Sequence, residues 1–197
     1  MVNKEKLLEF IIHLAKSTTE GGDLYFIGQT TRLMEGWINW IEEIEFAADI
    51  SEQDRSILES RIQYFRNKHQ IRIVEESPTE VIPLPEDYPS RRRQVSMADF
   101  PHSGKLRIYH FDPYSVAFRY IAQGDEQDYH LVLDFLQHGW ISEETMTVML
   151  DKLLPRFSFQ TIQQDPAEFR RRYKGLLQMA SRRIENQELR LAKYGNF

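Results

Sequence analysis

Glu43 and Glu45 stand one residue apart in the apolar run at 41–48, "IEEIEFAA". Successive strand side chains alternate faces, so the two carboxylates point the same way and Ile44 points the other. Two adjacent like charges repel. A divalent cation relieves that, and Mg²⁺ is commonly held by one or two carboxylates plus substrate phosphates. Upstream, a short apolar run at 24–27 ends at Gly28, and Gly28, Gln29 and Thr30 lead into a helix. A turn of that kind offers backbone N–H groups to a phosphate. Together the two pieces describe a phosphoryl-transfer site, with Glu43 and Glu45 as metal ligands. The plainer reading is that glutamates on a wet strand face and a glycine after a strand are both routine.

Other residues carry weaker signals. Arg91, Arg92 and Arg93 suit a phosphate or RNA backbone, or form a solvated run on a loop. Arg119 and Asp128 suggest a helix-to-helix ion pair. The six histidines show no metal-ligand spacing; His110 lies two residues from Asp112, and a core or surface imidazole accounts for it. Trp37 and Trp40 read as packing under the sheet. No Ser-His-Asp order, Walker loop or Rossmann glycine set occurs.

The elements that position these groups follow from periodicity. Residues 4–17 have helical spacing. Strands are expected at 24–27, 41–48, 71–74 and 106–111, and a short helix at 30–37. Ser51 with Asp54 opens a charged helix in the manner of a capping box. Residues 77–104 hold five prolines and little periodicity, the mark of a functional or mobile loop. Helices are expected over 113–123, 126–138 and 142–154. A last helix starts at Asp165-Pro166, and the final ten or so residues are expected to fray. This predicts an α/β (α+β) fold, a small mixed sheet flanked by helices, with a core over 1–112 and a helical region over 113–197 packed on it as one structural unit.

Composition sets limits. The chain has 197 residues, 41% hydrophobic, and a net charge of −5. A packed core is therefore available, and global electrostatic capture of nucleic acid is not expected. There is no cysteine, which excludes disulfides, zinc-thiolate sites and thiol chemistry. The N-terminus lacks a signal-peptide core, and no apolar run approaches the ~20 residues of a membrane span. The expectation is a soluble cytoplasmic protein with no membrane partner.

The stretch Ile27-Gly28-Gln29, thirteen intervening residues, then Glu43-Ile44-Glu45 resembles the DNA polymerase beta-type nucleotidyltransferase signature. That signature is a hydrophobic residue, Gly-Gly or Gly-Ser, a spacer, then Asp-x-Asp or Asp-x-Glu on the next strand. More narrowly, the chain is similar to a poorly characterised prokaryotic group reading "YFVGG-T-LLGWR-ST-DID", "SP-DFIP" and "KI-RG-EQD". The counterparts here are "YFIGQTTRLMEGWINWIEEIEF" at 25–46, "ESPTEVIPLPEDY" at 76–88 and "YSVAFRYIAQGDEQDYHLVLDFL" at 114–136. The resemblance implies a nucleotidyltransferase-like fold. It implies Glu43, Glu45 and a third carboxylate, Glu75 or Glu76, as catalytic and Mg²⁺-binding groups. Gly28, Gln29, Thr30 and Arg119 would bind a nucleoside triphosphate.

The departures fall at the centre of the motif. Gln29 replaces the second small residue, both acids are one methylene longer than aspartate, and Ile38 stands where an arginine is usual. Mg²⁺ demands near-ideal octahedral geometry and tolerates such shifts badly. The resemblance therefore implies a nucleotidyltransferase-like protein with an altered or lost catalytic site, a pseudoenzyme. The alternatives are an active Mg²⁺-dependent transferase acting on a protein or RNA acceptor, and a non-enzymatic partner-binding protein such as a toxin–antitoxin component. A homo-oligomer, with the amphipathic C-terminal helix as a docking surface, is a further expectation.

Overall fold

A computed structural model describes residues 1–96, 104–159 and 165–194. The chain divides into two compact units: Met1–Pro78 with Glu86–Val116, and Thr79–Pro85 with Ala117–Phe197. The change of unit thus falls at 116/117 rather than 112/113, and part of the proline-rich segment belongs to the helical unit.

In the first unit α1 (Lys4–Ser17) is followed by β1 (Gly22–Phe26), α2 (Gly28–Met34), β2 (Glu43–Ile50), α3 (Glu52–His69), β3 (Arg72–Glu75), β4 (Arg93–Gln94) and β5 (Leu106–His110). The strands form one mixed sheet in the order β3-β2-β1-β5-β4. β1 runs antiparallel to β2 and parallel to β5, and β2 runs parallel to β3. β4 was not expected: two exposed polar residues give no period to read.

The sheet buries one face under α1 and α3. Leu7, Phe10, Ile11 and Leu14 of α1 and Leu58, Ile62 and Phe65 of α3 share a core with Leu24, Phe26, Ile44, Phe46, Ile73 and Ile108. Phe10 is its hub, with ring centroids 6.1 Å from Phe46 and 5.4 Å from Phe65. The strand period puts Asp23, Tyr25, Glu43, Glu45, Arg107 and Tyr109 on the opposite face.

Helix starts follow their caps. Asn3 accepts from the Lys6 N–H at 3.1 Å, and Ser51 from the Asp54 N–H at 3.2 Å. The Asp54 carboxylate does not complete a capping box. It closes the turn between α1 and β1, accepting from the N–H groups of Thr19, Glu20 and Gly21 and from the Thr19 hydroxyl at 2.8–3.0 Å.

α4 (Pro113–Gln123) begins in the first unit and continues into the second, which adds α5 (Glu126–Gln137), α6 (Glu143–Leu153) and α7 (Pro166–Tyr194). Its core includes Phe118, Phe157 and Phe169, with Phe157 meeting Phe169 edge to face at 5.2 Å. Gly124, at φ +78, ends α4 where an added Cβ would meet the Arg172 guanidinium at 2.5 Å. α7 runs to Tyr194, into the segment expected to fray, of which 195–197 lie outside the described residues. Glu188, Leu189, Arg190, Leu191, Ala192 and Lys193 all have good helix propensity. Among the described residues no helix is long and apolar enough to cross a membrane.

Candidate functional site

The first unit brings the two halves of the sequence motif together. Gly28, at φ +56, turns the chain out of β1 into α2. α2 lies against β2, and the Thr30 hydroxyl accepts the Glu45 N–H at 2.7 Å. In return the Glu45 carboxylate accepts the Gln29 N–H at 3.0 Å. Gly28, Gln29 and Thr30 therefore sit beside Glu45, as the spacing suggested. The amide that would meet a phosphate donates to the protein's own carboxylate. The Gln29 side chain is occupied too: its carbonyl accepts from Arg32 at 2.7 Å.

The acids are not left as a paired seat. Glu43 forms an ion pair with Arg72, its Oε2 2.8 Å from the arginine Nε but outside hydrogen-bond geometry, directly across the β2–β3 ladder. Of the two candidates for a third carboxylate, Glu75 lies on the other face. Val74, not Glu75, is the partner of Glu45 across that ladder. Glu75 shares the side of Ile73, where it pairs with Arg55 of α3. Glu76 donates its N–H to the Phe46 carbonyl at 2.7 Å. A magnesium ion at Glu43 and Glu45 would have to displace an arginine and a backbone donor, with no third carboxylate on that face from Glu75. The residues as arranged do not fit a Mg²⁺–triphosphate site. Among the described residues no three acidic or histidine side chains are placed to hold a metal.

The remaining candidates have structural partners. Arg91 forms a two-toothed pair with Asp112, at 3.0 and 2.9 Å, and Arg92 bonds Asp23 at 2.9 Å while lying 4.3 Å over the Tyr109 ring. Arg93 belongs to β4. The first two members of the arginine run thus have carboxylate partners, while Arg92 and Arg93 stay exposed. Those two pairs tie the segment before β4 to the sheet and to the start of α4. Arg119 belongs to the second unit and is buried. Burial, chiefly, and Asp125 push the Asp128 carboxyl up, while the charge of Arg119 pulls it down. Trp40 corrects the packing expectation at 54% exposed. Ile41 turns inward to pair with Val2, so its neighbour turns outward.

His110 is a core residue, 2% exposed. Its Nε2 lies 2.9 Å from Glu35 and its Nδ1 lies 3.3 Å from the Thr31 hydroxyl. Glu35 is fully within reach of an Nε2–H donor, and Thr31 can donate to Nδ1, which suits a neutral ring. Burial lowers the His110 pKa, against the opposing pull of Glu35. The unfolded chain therefore binds the proton more readily, and stability falls as pH drops below about 6.5. His110→Gln should flatten that slope in denaturant titrations between pH 7 and 5.

The network around Asp23, Arg92 and Arg107 escaped the sequence reading, because its members are 69 and 84 residues apart. The only sequence signal is an acidic residue inside an otherwise apolar strand. Compared with protein families, curated proteins and solved structures, the chain matches none.

Proposed function

We propose that this chain is a cytoplasmic nucleotidyltransferase-like protein whose transfer site has been converted to internal bonding, and that it acts by binding a partner macromolecule. One observation carries the reading: the Gln29 amide donates to Glu45 at 3.0 Å. A carboxylate thus takes the donor that a triphosphate would use. The Glu43–Arg72 pair and the turn of Glu75 to the other side of the strand support it. The alternative, an active Mg²⁺-dependent transferase, draws on the same proximity, since displacing Glu45 would leave a phosphate beside it.

Differential scanning with ATP, GTP, CTP and UTP plus Mg²⁺ or Mn²⁺ separates the readings. A bound nucleotide at a hundred times its Kd would raise Tm by roughly 5–10 °C. The expected result is no shift with any triphosphate and no labelled nucleotide transferred to protein or RNA. Label transferred by the wild type and lost in Glu43→Ala/Glu45→Ala would overturn the proposal. Glu45→Ala alone should cost about 1 kcal/mol in urea unfolding, because the Gln29 amide loses its acceptor.

A further inference from the structure

β3 is an edge strand of the sheet, and beside it lies a groove of about 590 Å³ whose other wall is α3. The register fixes which backbone groups face outward. Phe46 pairs with Glu75, and its carbonyl accepts the Glu76 N–H. In a parallel ladder this turns the peptide groups of residues 72, 74 and 76 toward β2. Those of Ile73 and Glu75 turn away from it. The Ile73 carbonyl is covered by the Arg66 guanidinium of α3. An edge with outward donors and acceptors is a template for another strand.

We propose that this edge is a self-association surface, on which two copies pair β3 to β3 antiparallel about a two-fold axis through Val74. The register follows from the outward groups. Hydrogen-bonded residues in an antiparallel pair exchange both bonds, so Ile73 lies opposite Glu75 of the second copy. That places Arg72 opposite the second copy's Glu76. Arg72 pairs through Nε with Glu43 and has a side chain 75% exposed, so an incoming acid would share its guanidinium with Glu43. Centring the axis on Ile73 instead would set Arg72 against Val74 and form no charge pair.

α3 supplies an independent match around the same axis. It is held over the β3 edge by Arg55 on Glu75 and Arg66 on Ile73. The two-fold therefore sets α3 antiparallel beside its copy. Glu59 and Arg66 both line the groove and lie two helical turns apart. In the pair each Glu59 meets Arg66 of the other copy. Arg66 leaves the Ile73 carbonyl as the second copy's Glu75 N–H takes it, so no acceptor is left bare. Such self-complementarity is what an isologous interface requires. An extended peptide from another protein could use the backbone groups but would not bring the α3 charge match.

Sedimentation equilibrium on the full chain tests this with three variants. Glu75→Pro removes an N–H that points away from β2, so the sheet keeps its own ladder. Glu59→Arg sets like charges together, and Glu59→Arg/Arg66→Glu restores opposite ones without touching the backbone. The wild type should weigh twice the 23.5 kDa chain mass at micromolar concentration. Glu75→Pro should be monomeric with unchanged far-UV circular dichroism. Glu59→Arg should raise the dimer Kd by roughly tenfold, and the double variant should recover most of that. A wild type that stays monomeric up to about 100 µM overturns the proposal. So does a folded Glu75→Pro that remains dimeric, or a double variant no tighter than Glu59→Arg. A monomer that instead captures an extended peptide at β3 would assign the edge to a different partner and equally overturn it.

Discussion

Asp54→Asn should lower Tm at pH 7 by roughly 5–10 °C, one of the two largest effects expected in this protein. Asp54 is fully buried and accepts four hydrogen bonds from Thr19, Glu20 and Gly21. Asparagine keeps one acceptor oxygen and turns an NH₂ group toward donors, so at least one buried N–H loses its partner. The turn it closes has no slack: Gly21, at φ +90, passes so near Lys105 that an added Cβ would meet its carbonyl oxygen at 2.4 Å. The backbone N–H of Thr19 first, then those of Glu20 and Gly21 with the Thr19 hydroxyl, hold the carboxyl at about 2 against the pull of burial. The unfolded value is near 3.8, so the folded state binds the proton less readily. The contribution is complete above about pH 4 and is lost as pH falls toward 2. Circular dichroism melts at pH 7 and pH 3 should show the gap between wild type and Asp54→Asn narrowing on acidification. An equal gap at both values would remove the assigned role.

Asp112→Ala should cost about 3–5 kcal/mol in urea or guanidinium unfolding, while Arg91→Ala costs much less. Asp112 is 1% exposed and serves two purposes. It caps α4 by accepting the N–H groups of Tyr114 and Ser115 and the Ser115 hydroxyl, and it receives both teeth of Arg91. Removing it strands a largely buried guanidinium and three donors together. Removing Arg91 leaves the carboxylate with its three cap donors, so no buried charge is bare. The asymmetry is the diagnostic result. Equal losses would mean that the cap contributes little and that the ion pair alone carries the energy. Arg91→Ala should also loosen the segment before β4, read as faster amide exchange at Arg92–Val95.

The two largest expected effects thus fall on aspartates that hold buried turns: Asp54 between α1 and β1, and Asp112 at the start of α4. The acids marked as catalytic carry smaller ones. Glu43 and Glu45 have their partners on the sheet face away from the α1–α3 core, while Asp54 and Asp112 are buried.

By itself the sequence determined the fold class and most of the elements, β4 excepted. Leu7, Ile11 and Leu14 at helical spacing, the strand alternation around Ile44, and the helix starts at Ser51 and Asp165-Pro166 are local signals. They placed α1, β2, β5, α4, α5 and α6, and the starts of α3 and α7, to within about two residues. The glycine turn and the acids were legible as neighbours because only one short helix separates them. What each acid does was decided by tertiary structure. Whether Glu45 faces a metal or the Gln29 amide depends on how α2 lies on β2. Whether Glu75 joins Glu43 depends on the β2–β3 register, where a shift of one residue exchanges the faces. Asp54 reached across 35 residues to Thr19 and Arg92 across 69 to Asp23. Side chains of one type read alike in sequence, and a partner distant along the chain becomes a neighbour only once the sheet has formed.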